Sequence, residues 1–135
     1  MKSFLIVAAA LIAAAPVSVQ AQAGSERIVS MYRAAPGHQL ALLKWMAQQD
    51  EAAKAAGVGP SQLYVHQEGA SWDFFLVQPM TTPAQDKAVD AELTRMGAAA
   101  GPKASLELRQ HIAEHTDTIS AGPTTAAEWL KHIGN

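Results

Sequence analysis

The sequence predicts an α+β domain in which an antiparallel sheet is backed by two long helices and followed by a short terminal one. Three observations carry this expectation. Arg27–Arg33 alternates in the period of a strand. Leu63–Gln67 and Trp72–Gln78 alternate likewise, with Glu68-Gly69-Ala70-Ser71 between them as a turn. Residues 38–56 and 82–100 repeat apolar side chains at helical spacing, and a glycine follows each run.

In chain order, the first strand places Ile28, Ser30 and Tyr32 on one face and Val29, Met31 and Arg33 on the other. Ala35-Pro36-Gly37 ends it, and Leu42, Trp45, Met46, Gln49 and Ala53 then mark one side of a helix that Gly57 closes. The hairpin follows, its strands rich in aromatic and β-branched residues. Thr82-Pro83-Ala84-Gln85 combines a capping hydroxyl, proline at the first helical position and Gln three residues on, the pattern of a capping box. Val89, Leu93, Met96 and Ala100 are the expected buried stripe of this second helix, which Gly101-Pro102 is expected to end. Leu106, Leu108 and Ile112 suit a short helical segment, and His115–Ser120 suits a last strand because Thr and Ile favour pleated structure. Thr125-x-x-Glu128 is a second capping box, opening a terminal helix through Trp129, Leu130 and Ile133. The order is that of a ferredoxin-like βαββαβ domain with an extra C-terminal helix.

The chain has 135 residues, 10 Lys+Arg, 12 Asp+Glu and no Cys. That is one domain's length, and near-neutral charge offers no clustered basic footprint for a nucleic acid. Without cysteine there is no disulfide framework, no thiolate nucleophile and no sulfur-ligated metal centre. Residues 1–23 join Lys2, an apolar run from Phe4 to Ala15, and small residues at Val19/Ala21 and Ala21/Ala23, the parts of a secretory signal peptide. Pro16, Ser18, Gln20 and Gln22 break the run too early for a membrane span of about 20 residues. Cleavage after Ala21 or Ala23 would leave one domain, within 24–135, in the periplasm or secreted, with nine cations against twelve carboxylates and no membrane attachment.

The strand–helix–hairpin–helix–strand order and the late His115-Thr116-Asp117-Thr118 strand resemble the dimeric α+β barrel superfamily, which includes antibiotic-biosynthesis-type monooxygenases, muconolactone isomerases and stress-responsive barrel proteins. The resemblance covers nearly all of the mature chain and rests on architecture, not on a diagnostic motif. It implies a homodimer whose sheets close into a barrel, and by analogy a small apolar or aromatic ligand inside it.

Candidate chemistry centres on histidine. His111-Ile112-Ala113-Glu114-His115 matches H-x-x-E-H, which on a helix would put His111 and His115 on one face as metal ligands. The peptidases that carry this pattern are much larger, and few residues follow to supply a third ligand; a plain His-based metal site at His111 and His115 is the milder alternative, and a capped helix end the structural one. If pairing brings His66 toward His115 and Asp117, a His–Asp pair would be available for proton abstraction beside a carbonyl or phenol. His66 would equally serve as a hydrogen-bonded core group. Tyr32, Tyr64, Trp72 and Asp73 are the candidate ligand-binding residues, with Phe74 and Phe75 as packing. No nucleotide-binding or nucleophile-elbow motif occurs, and no cofactor is specified. The expected activity is a cofactor-independent monooxygenase or isomerase, against a non-enzymatic binding or structural role.

Overall fold

The computed structural model describes residues 26–69 and 72–134. The leader pattern of residues 1–23 lies outside the described residues, as does part of the turn assigned to Glu68–Ser71. The described elements are β1 (Glu26–Ala34), α1 (Gln39–Ala55), β2 (Gln62–Val65), β3 (Phe74–Pro79), α2 (Pro83–Arg95), α3 (Pro102–His111), β4 (Ile112–Ala121) and α4 (Ala126–His132). All strand pairs are antiparallel, in the spatial order β2-β3-β1-β4.

This β-α-β-β-α-α-β-α order is an elaborated ferredoxin-like topology, but the sheet is open. Strands β2 and β4 are its two edges and do not meet, so the expected barrel is not formed. Four strands are too few to curl into a closed wall by themselves; a barrel small enough to be filled by side chains takes about eight.

Alternation along β1 decides which face is covered. Ser30, Tyr32 and Ala34 are buried beneath the helices, while Met31 and Arg33 are exposed on the outer face. The cross-strand register carries this assignment to the neighbours, putting Phe74 and Leu76 of β3 on the inner face and Phe75 and Val77 on the outer one. From α1, Leu42 and Met46 fall one turn apart and pack with Tyr32, Ala34, Phe74 and Leu76 as the central core. Leu93 of α2 is also buried, and Ala104 of α3 completes the cover.

Local chemistry sets the helix ends. Thr82 and Thr125 both make complete capping boxes, with Gln85 and Glu128 respectively. Helix α1 ends in a Schellman arrangement, in which Gly57 adopts φ 75° while Val58 N–H donates to Ala53 and Gly57 N–H to Lys54. The same device at Gly97, φ 73°, stops α2 at Arg95. Met96 and Ala100 therefore do not extend the α2 stripe, and Pro102 opens a separate α3 instead. The last strand is also longer than the Thr-rich core suggests, beginning at Ile112 directly after α3.

Leu42 is fully buried at the centre of this core. Leu42→Ala should lower unfolding stability by about 2–5 kcal/mol, the range for cavity-forming Leu truncations. Chemical denaturation with an unchanged m-value checks it.

Candidate functional site

Register places the sequence-derived residues in two groups on opposite faces of the sheet. On the inner face, Tyr32 pairs with His115 and Ser30 with Asp117 across β1 and β4. The four form a box. Ser30 Oγ donates to Asp117 Oδ1 at 2.5 Å, and the Tyr32 and His115 rings stack with centroids 4.6 Å apart. His115 Nε2 lies 2.8 Å from the same Asp117 oxygen, but off the direction of an aligned hydrogen bond, so the contact is one of electrostatic proximity.

This geometry limits the chemistry. Ser30 gives its proton to the carboxylate and not to the imidazole, so the box lacks the hydroxyl-to-His step of a nucleophilic relay. Burial pushes the Tyr32 phenol above its ordinary range; the Asp117 charge adds to this and the Ser30 hydroxyl works against it.

His66 belongs to the other face. It follows β2 beyond Tyr64, whose cross-strand partner is the outward-facing Phe75. His66 stacks on Trp72 at 4.9 Å, and Trp72 sits 6.0 Å from Phe75. The sheet itself therefore separates His66 from His115 and Asp117. Asp73 pins the hairpin to β1: its Oδ2 accepts from Ala34 N–H at 2.8 Å, and its own N–H donates to the Tyr32 carbonyl at 2.8 Å.

The H-x-x-E-H string is not helical either. His111 closes α3, whereas Glu114 and His115 alternate along β4, with Glu114 ion-paired to Arg33 on the outer side. An inner-facing His115 and an outer-facing Glu114 cannot share one metal-bound water. His111 meets His38 instead, with Nδ1 atoms 3.2 Å apart. Among the described residues, no three His, Asp or Glu side chains gather as metal ligands would. The His-based metal reading thus finds no set of three such ligands among the described residues.

Two hollows remain at the Glu26 end of β1. The larger, about 590 Å³, separates the inner face from α1 and α2. Its three carboxylates already have structural partners: Asp50 accepts from Ser61, Asp86 from Thr81 Oγ1 at 2.6 Å, and Asp90 from Gly101 N–H at 2.8 Å. The smaller, about 420 Å³, lies on the outer face. Sequence reasoning placed Tyr64 among the ligand-binding residues but missed Arg27, which lines the same hollow. Its signal was present in the alternation, because Arg27 shares the outer face with Val29.

No protein-family model matches the chain, and no curated protein matches it. With the sheet open and no family match, membership of the dimeric α+β barrel superfamily is withdrawn. The oxygenase or isomerase reading falls with it, as does the ligand carrier built on the same barrel interior, because that interior is not formed and the His residues meant to line it face opposite ways. No helix among the described residues is long and apolar enough to cross a membrane.

Tyr32 supplies a pH test. A raised folded-state pKa means the folded protein holds the phenolic proton longer than the unfolded chain. The stabilisation should be fully present below pH 10, the unfolded value, and be lost as pH rises beyond it. Urea midpoints measured from pH 8 to 11 should fall over the upper part of that range, and the fall should be smaller in Tyr32→Phe.

Proposed function

We propose that the protein works by association, with its outer sheet face and α4 forming a docking surface for a second copy of the chain. The observation that carries this is the state of α4. It has seven residues and a complete capping box, yet none of its residues is buried. A helix this short is not stable in water on its own, and most helical stability comes from packing an apolar face. That face exists: Ala126, Trp129, Leu130 and Ile133 fall within one arc, with Trp129 41%, Leu130 47% and Ile133 57% exposed.

The outer sheet face is the complementary surface. Met31 and Tyr64 are exposed there, with Val29, Phe75 and Val77 half-buried beside them. A contiguous apolar patch of this kind marks an interaction site. Because one chain carries both the apolar helix and the apolar sheet face, a two-fold exchange of helices satisfies both at once, in an interface of the same patch on each subunit. Such an exchange leaves β2 and β4 as free edges and closes no barrel.

The expected result is a dimer of the mature chain by light scattering at micromolar concentration, converted to a monomer by Trp129→Asp with Leu130→Asp. These positions are exposed in the single chain, so the variant should stay folded, with the loss of circular-dichroism signal confined to the helicity of α4 and a melt below that of the dimer. A monomeric parent protein, or a dimer indifferent to both changes, would overturn the proposal.

We further propose that this association takes place outside the cytoplasm, in the periplasm or after secretion, and the support is the leader pattern of residues 1–23. Mass analysis of the chain from fractionated cells should find it beginning at Gln22 or Gly24, outside the cytosol. An intact chain from Met1 in the cytosol would refute it.

A further inference from the structure

The outer-face hollow carries an inference about a ligand, at a site that shares Val29, Tyr64 and Val77 with the proposed docking surface. All four strands contribute to its floor and sides, and the contributing strand residues have outer-face parity, Arg27 and Val29, Gln62 and Tyr64, Val77 and Ser120, apart from Ala121 at the very end of β4. Two loops at the same end of the sheet raise its rims. Gly59-Pro60 precedes β2 on one edge, and Gly122-Pro123 follows β4 on the other. The result is a basin of about 420 Å³ with a flat aliphatic floor, a tyrosine ring on one side and proline at both rims. Small-molecule sites have this size and this mixture of apolar wall and few polar groups.

Charge sets the class of ligand. Arg27 is the one ionisable group of fixed charge on the lining, and it makes no ion pair among the described residues. Arg33 on the same face of β1 is, by contrast, held by Glu114. A guanidinium presents a planar fork of N–H donors that matches a carboxylate in two parallel hydrogen bonds. Ser120 faces Arg27 across the β1–β4 pair, and Gln62 lies on the far strand, so neutral donors flank the cation without adding a second charge. One cation suits a singly charged anion, and a floor of Val29 and Val77 beside the Tyr64 ring suits a flat, apolar body.

We propose that the basin binds a small aromatic carboxylate, with its carboxylate on Arg27 and its ring over Val29 and Val77 against Tyr64.

Benzoate and its neutral isostere benzamide, titrated into the mature full chain and followed by amide NMR shifts, test this. Benzoate should saturate at millimolar concentration or below, with the largest shifts at Val29, Val77 and Ser120. Benzamide should bind about tenfold more weakly or worse, the difference expected from losing a charge-assisted contact. Arg27→Gln should weaken benzoate by a similar factor and leave benzamide unchanged. Equal binding of the two probes, no saturation, or shifts that map to another surface would overturn the assignment. Should Arg27→Gln fail to fold, the comparison of probes on the unaltered chain still decides it. Because the basin shares Val29, Tyr64 and Val77 with the proposed docking surface, the monomeric Trp129→Asp, Leu130→Asp variant should bind benzoate at least as tightly as the parent; absence of binding in both overturns this site whatever the state of association.

Discussion

Because β1 lies between β3 and β4, the direction of its side chains determines which side of the whole sheet the helices cover. Ser30, Tyr32 and Ala34 point under α1 and α3, and antiparallel register passes the same assignment to Phe74 and Leu76 on one neighbour and to His115 and Asp117 on the other. A one-residue slip of β1 would bury Arg33 and expose Tyr32. Ser30, almost completely buried in the middle of this strand, is a polar group at a core position, and Asp117 answers it with a hydrogen bond. The strand pair β1–β4 is thus held by a polar contact as well as by its backbone ladder.

The two faces that follow from this are unlike. The inner one is packed by Leu42, Met46 and Leu93, and the three carboxylates of its hollow are committed to caps and loops. The outer one carries Met31, Tyr64, Phe75 and Val77 with no layer of the described residues on top. An antiparallel sheet with one wet face normally alternates apolar inside with polar outside. Here the outer positions of β1, β2 and β3 break that alternation, whereas the outer positions of β4, Glu114, Thr116 and Thr118, are polar.

Much of the topology was legible because it is written in local chemistry. The alternation of β1, the capping boxes at Thr82 and Thr125, and Gly57 after α1 each have a short-range physical cause. Gly97 was the one local stop passed over, because Met96 and Ala100 continued the apolar period through it and the glycine at position 101 looked like the terminator. Relations across the sheet were not legible. Whether His66 meets His115 depends on which face each occupies, and periodicity alone cannot say which face of a strand with bulky groups on both sides turns inward. The H-x-x-E-H string misled for the same reason: its meaning requires a helix, and the change from α3 to β4 falls inside it at His111 and Ile112. Arg27 was passed over because one arginine at a strand's start carries no motif; only the two proline rims, more than 60 residues apart in sequence, make its surroundings a basin.

Strand β4 is ten residues long and lies at the margin of the sheet, with one row of backbone N–H and C=O groups unclaimed by any other strand among the described residues. Such a margin is a template on which further chains add, one strand after another, toward fibrous aggregates. The opposite margin, β2, is only four residues long and offers little to copy. Beside β4 stands the polar box. An incoming strand would have to lay its own inner-facing side chains against the Asp117 carboxylate and the His115 imidazole, and an apolar neighbour there would strip water from a charge without replacing it. The residues that first looked like a catalytic pair are thus the polar groups that a strand added to this long, Thr-rich edge would meet.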